Sequence, residues 1–314
     1  MPLRREHRPR LLAVAGLLLA AAIAGCTGTP TGSSQPSGPS TTSGAATSSP
    51  PATTANPPAK RAAVPPRPDH VVVVIFENKG SASQSDPANA PFITSLFSRS
   101  AVFTNSRAIT HPSQPNYLAL FSGSTQGVTS DACLSRFHSR PNLGAQLIAA
   151  GYSFAGYSED LPAPGYTGCF QGLYAGKHNP WVDFDNVPAS ANLPYRAFPT
   201  SYAKLPTVSF VVPNLCNDMH DCSARTGDAW ARRNLGPYID WAQTHNSLLV
   251  LTYDENDGSA GNQILTLFAG AGVRPGKYAE SVTHYRVLRT IEAMYGLPPI
   301  GQATATSPIT DAWN

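Results

Sequence analysis

The chain is 314 residues long, 41% apolar and only 13% charged, with 30 prolines and 25 glycines. Its formal charge of +3 sits in the first ten residues: taking Arg4, Arg5, Arg8, Arg10 and Glu6 from the 22 basic and 19 acidic side chains leaves eighteen of each, which argues against a nucleic-acid partner. Length and apolar content exclude a wholly disordered chain and leave room for one domain with a sizeable core.

Residues 1–25 read as a secretory signal, with a basic start (MPLRREHRPR), an apolar run (LLAVAGLLLAAAIAG) and small residues at its end. The run is short for a comfortable membrane span. Ile23-Ala24-Gly25-Cys26 resembles a bacterial lipobox, making Cys26 the candidate for lipidation; plain secretion is the competing reading. From Thr27 to about Pro68 the chain is Ser, Thr, Pro, Gly and Ala, too poor in large apolar residues to offset its ordering entropy. Residues 26–68 are therefore expected to be a lipidated cysteine and its flexible tether, with a catalytic domain over 69–314. The expected location is the outer face of a bacterial membrane, as a lipoprotein, or the medium.

Within 69–314, HVVVVIF (His70–Phe76) is a continuous β-branched run, as in a strand buried on both faces of a mainly parallel sheet, and it delivers Glu77-Asn78 at its end. A helix is expected over Ala90–Ser100 and a strand over Ala101–Asn105. In THPSQPNYLALFSG (Thr110–Gly123), Ser113 precedes a Gln-Pro-Asn turn that opens a helix, so its hydroxyl would lie beside the helix dipole's positive end. Alone, the segment reads equally as an ordinary N-cap serine. A helix over Asn142–Ala150 and a strand over Tyr152–Tyr157 follow. Ser158 to about Lys204 is rich in Gly, Pro, Tyr and Asn without periodicity, a long insertion suited to lining a substrate pocket. Thr207–Val212 is a strand running into PNLCNDMHDC, Asp228–His245 a helix, and Ser247–Tyr253 a strand ending at Asp254-Glu255. Gln263–Phe268 and a helix over about His284–Tyr295 complete an α/β domain.

With Cys26 set aside, Cys133, Cys169, Cys216 and Cys222 form an even set, which in an exported domain reads as two disulfides. Of three pairings, Cys216–Cys222 as a short local loop with Cys133–Cys169 is favoured. A zinc site competes, but no CxxC pair is present.

Four segments share one grammar, an apolar strand or corner delivering polar residues at its end: Glu77-Asn78, Ser113, Asn214 to Asp221, and Asp254-Glu255. His284 adds an imidazole at the start of the last helix. Carboxylates converging on one sheet edge repel one another unless a cation lies between them, and a hydroxyl among them suggests a divalent ion beside a nucleophile.

The segments VVVVIFENK, THPSQPNYLALFSG, VPNLCNDMHDCS, LTYDENDGS and THYRVLRTIEAMYG, taken together and in this order, resemble the phosphoesterase family of acid phosphatases and phospholipases C, within the alkaline-phosphatase-like superfamily. The overall match is to secreted actinobacterial acid phosphatases, including a mycobacterial phosphatase that acts on phosphoinositides. SQPNY also resembles the nucleophile turn of nucleotide pyrophosphatases/phosphodiesterases, and that registration selects Ser113 over Thr110. The resemblance implies a three-layer domain with a mainly parallel central sheet, and a divalent metal, magnesium, calcium or zinc, held by Glu77, Asn78, Ser113, Asp254 and Glu255. It further implies His111, His220 and His284 as phosphoryl contacts or proton donors, with Asn116, Asn214 and Asp218 at the substrate. The activity implied is hydrolysis of phosphate monoesters, phosphoinositides among them; diester cleavage by the same site, as in a phospholipase C, is the alternative. Partners are then a phosphorylated small molecule or phospholipid headgroup, and the membrane through the lipid anchor.

Overall fold

The computed structural model describes residues 64–259 and 261–314. The expected signal, Cys26 and most of the expected tether lie outside the described residues. The described residues fall in one compact unit that contains both hydrophobic cores.

The elements run β1 (His70–Phe76), α1 (Ser81–Gln84), α2 (Pro91–Ser95), β2 (Ser100–Arg107), α3 (Ser113–Ser122), α4 (Leu143–Ala149), β3 (Phe154–Ser158), β4 (Phe170–Gln171), β5 (Tyr174–Ala175), β6 (Asn192–Pro194), β7 (Val208–Val212), α5 (Ala224–Ala242), β8 (Ser247–Tyr253), β9 (Thr266–Gly270), β10 (Gly276–Thr283) and α6 (His284–Met294). Eight strands form one sheet in the order β10-β2-β9-β8-β1-β7-β3-β6, while β4 and β5 make a separate hairpin. β9 is antiparallel to both neighbours; the other pairings of the large sheet are parallel.

The central strand shows why the sequence takes this form. β1 is buried on both faces, and its side chains alternate: Val71, Val73 and Ile75 enter one core, Val72, Val74 and Phe76 the other. The first core packs beneath α3, α4 and α6, the second beneath α2 and α5, giving three layers. Because β7, β1 and β8 are adjacent and parallel, their carboxyl ends meet at one edge, where open α/β sheets build sites.

The insertion after β3 is seated through one close approach. A Cβ at Gly156 would stand 2.1 Å from the Trp181 ring, so the absent side chain lets the indole lie on the strand. The Trp181 indole N–H donates to Asn192 Oδ1 at 2.8 Å. Cys133 is bonded to Cys169 and Cys216 to Cys222, the favoured pairing. The last residues of the expected tether pack on the domain: Pro65 and Pro68 are buried, the Pro68 carbonyl accepts from the Tyr295 hydroxyl at 3.1 Å, and the Arg67 guanidinium lies 5.2 Å from the Tyr152 ring centre. Among the described residues, no helix is long and apolar enough to cross a membrane.

Candidate active site

β1 hands the chain directly to Glu77, which is fully buried. Asn78 then turns with φ 50°, a left-handed conformation that asparagine tolerates better than most residues. Its backbone N–H donates to Asp254 Oδ1 at 3.1 Å, and Asp254's own N–H donates to the Phe76 carbonyl at 2.9 Å. The β1–β8 register thus places Glu77 and Asp254 side by side. From β7's side, the Glu77 N–H donates to the Asp218 carbonyl at 2.8 Å.

Ser113 is the first residue of α3 and is buried. Asn116 builds the corner before it: its Oδ1 accepts from the Ile109 and Thr110 N–H groups, and its Nδ2 donates to the Thr110 and Pro112 carbonyls. The Ser113 hydroxyl faces the sheet edge, donating to Glu77 Oε2 at 3.0 Å, with Glu255 Oε1 at 3.5 Å. One turn further on, the Tyr117 hydroxyl donates to Glu77 Oε1 at 2.6 Å.

The insertion supplies groups that strand-end reasoning missed. His178 is buried with Nε2 2.9 Å from Glu77 Oε1 and Nδ1 3.2 Å from Asp218 Oδ2, and its ring stacks on Tyr117 with centroids 5.0 Å apart. These nitrogen–oxygen approaches lack hydrogen-bond alignment, and Nε2 and Asp218 Oδ2 have no hydrogen-bond partner among the described residues. Lys177 Nζ donates to Asp131 Oδ2 at 2.7 Å, and Asp131 Oδ1 accepts the Gln114 N–H at the start of α3 at 2.9 Å. A signal for His178 existed: it is the single histidine in the stretch 158–204.

Burial would raise Glu77, but the charge of His178 and the Tyr117 hydroxyl hold it below the usual carboxylate range. Burial would lower His178, yet Glu77 and Asp218 hold it above the usual imidazole range. Burial, then the charges of Glu77 and Glu255, push Asp254 far up; burial, then Glu77 and Asp131, push Glu255 up to about 8. Acids crowded into taking up protons are acids that a divalent cation would keep ionised. The buried Asp254 Oδ2 also lacks a partner among the described residues. Glu77, His178 and Asp218 offer ligand atoms within 4.8 Å of one another. The donor set fits a divalent cation: oxygen-rich around Glu77, Asp254, Glu255 and Ser113, with one imidazole beside it.

The other expected residues fall as follows. His111 Nδ1 lies 2.8 Å from Glu255 Oε2, and His220 Nε2 lies 3.4 Å from Lys177 Nζ; both side chains are partly exposed. Asp218 joins the buried triad rather than an open substrate surface. Asn214 is committed to its own loop, donating to Asp160 Oδ2 and accepting from the Cys216 and Asn217 N–H groups. His284 is buried with Nε2 2.9 Å from the Tyr253 carbonyl; burial lowers its pKa to about 4, so the ring is neutral and has Nδ1 unpartnered among the described residues.

A model of the phosphoesterase family matches residues 77–298, and the chain belongs to that family; its class of reaction is the hydrolysis of phosphoric esters. The chain is 54% identical over 246 residues to a phosphatidylinositol-3-phosphatase of Mycobacterium tuberculosis, an alignment covering 78% of this chain and 82% of that one. It is 32% identical over 228 residues to a phosphate-repressible acid phosphatase of Penicillium chrysogenum, covering 67% of this chain and 55% of that one. It thus spans about half the length of that fungal enzyme. Among solved structures, a protein in the alkaline phosphatase superfamily from Vibrio parahaemolyticus superposes with a TM-score of 0.53 at 13% identity, covering 79% of this chain and 73% of that one. The lipoteichoic acid synthase LtaP of Listeria monocytogenes gives 0.54 at 11%, covering 78% and 76%. The fold is that of the alkaline phosphatase superfamily.

Proposed function

We propose that the chain is a phosphomonoesterase whose nucleophile is Ser113, and that its substrate is the monoester phosphate of a phosphoinositide. The observation that carries the reading is the Ser113 hydroxyl, held at a helix start and donating to Glu77 Oε2 at 3.0 Å with Glu255 beyond it. The substrate class follows the mycobacterial phosphatidylinositol-3-phosphatase, the relative with 54% identity. Export by residues 1–25 and lipidation at Cys26 are part of the same proposal.

The chemistry follows from the placement. Ser113 Oγ passes its proton to Glu77 or Glu255 and bonds to phosphorus, while the bond from phosphorus to the leaving alcohol oxygen breaks. That oxygen takes a proton from His111 or His220 at the mouth. Water then gives a proton back to that histidine and bonds to phosphorus, the bond from phosphorus to Ser113 Oγ breaks, and Oγ takes back the proton held by the carboxylate as phosphate leaves. Lys177 Nζ and the Gln114 N–H, which both donate to Asp131, would serve phosphoryl oxygens where substrate displaces that carboxylate. Glu77, Asp254, Glu255, Ser113 and Asn78 would hold a divalent ion, with His178 and Asp218 adjoining. Bound there, it would supply charge neutralisation and a more acidic serine hydroxyl.

Ser113→Ala is expected to lower turnover of p-nitrophenyl phosphate about a thousandfold or more with an unchanged circular dichroism spectrum, whereas Thr110→Ala loses only a few-fold. Retained turnover in Ser113→Ala would end the nucleophile assignment. Release of phosphate from phosphatidylinositol phosphates, measured beside bis-p-nitrophenyl phosphate with and without chelator, tests substrate class and metal. Preference for the diester would defeat the monoesterase reading.

A further inference from the structure

The insertion after β3 and the start of α3 enclose a narrow cleft. Gln114, Asp131 and Lys177, the groups placed above beside the phosphoryl oxygens, line it together with Thr167, Phe170 and Asp183. Its walls are fixed. Cys133 and Cys169 both belong to the lining and are bonded to one another, and the Gly176 N–H donates to the Cys169 carbonyl at 2.7 Å. A Cβ at Gly176 would stand 2.8 Å from the Gly168 carbonyl oxygen, so only glycine lets these two lengths of chain approach. The enclosed space is about 20 Å³, room for one water-sized group and not for a ring.

Asp183 is out of place in that lining unless something meets it. It is 8% exposed, and its carbonyl is held by the Phe137 N–H at 2.6 Å, yet its Oδ2 has no hydrogen-bond partner among the described residues. The neighbouring cation does not supply one: Arg136 donates to the Phe184 carbonyl at 3.0 Å. Buried carboxyl oxygens are seldom left unpaired, because the lost hydration is not made good. Burial raises Asp183 to about 7 against the pull of Arg136, so near neutrality it can both donate and accept. With Arg136 and Lys177 beside it, such a group suits a neutral hydroxyl better than an ammonium. Phe170, also in the lining, is 55% exposed and offers an open aromatic face at this polar cleft.

We infer that this cleft is the subsite for the leaving alcohol: one free hydroxyl of a polyol enters it and bonds to the Asp183 carboxyl, while the polyol ring stays outside against Phe170. The class of substrate it selects is the phosphate monoester of a cyclic polyol. This deepens the phosphoinositide reading and rests on it, and on Ser113, for where the phosphate sits. A site built to bond a substrate hydroxyl discriminates against the analogue that lacks it, because its own buried polar group is then left unpaired.

The test compares myo-inositol 3-phosphate with its hydroxyl-free counterpart, cyclohexyl phosphate, and with p-nitrophenyl phosphate. Wild-type kcat/KM is expected to be about tenfold or more higher for the inositol ester than for the cyclohexyl ester. Asp183→Ala should erase that ratio, and Asp183→Asn, which keeps a hydrogen-bonding amide, should retain part of it. Turnover of p-nitrophenyl phosphate should stay within about twofold in both variants. Phe170→Ala should raise KM for the inositol ester about three- to tenfold with kcat unchanged. No preference in the wild type, or an undiminished one in Asp183→Ala, overturns the subsite and leaves the Ser113 monoesterase standing. Loss of p-nitrophenyl phosphate turnover in both Asp183 variants also overturns it, since the carboxyl would then serve the fold. So does a wild-type preference for phosphoethanolamine that Asp183→Ala removes, because the cleft would then hold an ammonium. A wild type that favours glucose 1-phosphate over the inositol ester, and loses that preference in Asp183→Ala, supports the subsite and defeats the phosphoinositide reading.

Discussion

His178 illustrates how much one residue carries at this site. It is wedged between Glu77 and Asp218, and the Tyr117 ring lies flat against it. His178→Asn is expected to lower turnover at least about a hundredfold and to weaken divalent-ion binding about 10–100-fold by calorimetry, with the fold intact. Asp131 acts in the opposite sense. Its carboxylate occupies the Gln114 N–H and Lys177 Nζ, donors that suit a phosphoryl oxygen. Asp131→Asn removes that competing charge, so KM for p-nitrophenyl phosphate should fall about three- to tenfold; an unchanged KM would show that substrate never meets these donors. Glu77, Asp254 and Glu255 were legible because they follow apolar runs that end at a sheet edge, and Ser113 because it opens the turn into an apolar helix. His178, Lys177 and Asp131 were not, because an irregular chain has no period to say which side chains point inward.

At the scale of elements, Gly156 couples β3 to the insertion. Gly156→Ala drives a methyl group into the Trp181 ring and should cost about 1–3 kcal/mol in urea unfolding. Because Trp181 lies three residues after His178, activity should fall with it. The start of α5 shows where local reading goes astray. Asp228 resembles a helix cap, yet α5 begins at Ala224, capped by the Ser223 hydroxyl, which accepts from the Thr226 N–H. Asp228 instead accepts the Phe92 and Ile93 N–H groups, capping α2, whose own Ala90 cannot. β10 escaped notice because it is an edge strand whose burial alternates and whose sequence is mostly polar. In α6, burial raises Glu292 from 4.5 to about 7. The native state therefore holds this proton more tightly than the unfolded chain, a contribution complete below about 4.5 and lost as pH rises through about 7. Glu292→Gln should flatten the pH dependence of the urea midpoint across that window, and an unaltered slope would refute the assignment.

For the whole molecule, parallel order explains why so much of the fold was readable. Once His70–Phe76, Thr207–Val212 and Ser247–Tyr253 are strands of one parallel sheet, their polar successors must gather at one edge, and they do. Strand order, and β9's reversal, depended on contacts distant in sequence that no local pattern encodes. One covalent link has a consequence in time. The Cys133–Cys169 bond joins the segment carrying Asp131 to the hairpin that leads into Lys177 and His178, positions otherwise separated by 36 residues. Loop closure of that size is worth about 3–4 kcal/mol, and no strand of the large sheet lies within it except β3. A newly made, still reduced chain should therefore form its sheet and gather Glu77 and Asp254 at its edge while leaving Lys177 and His178 unseated beside them. Refolding with reductant should restore the circular dichroism signal ahead of p-nitrophenyl phosphate turnover, with turnover following on oxidation; simultaneous recovery would argue otherwise. The protein would then behave as a zymogen whose activating event is the making of a bond rather than the cutting of one, silent wherever thiols stay reduced.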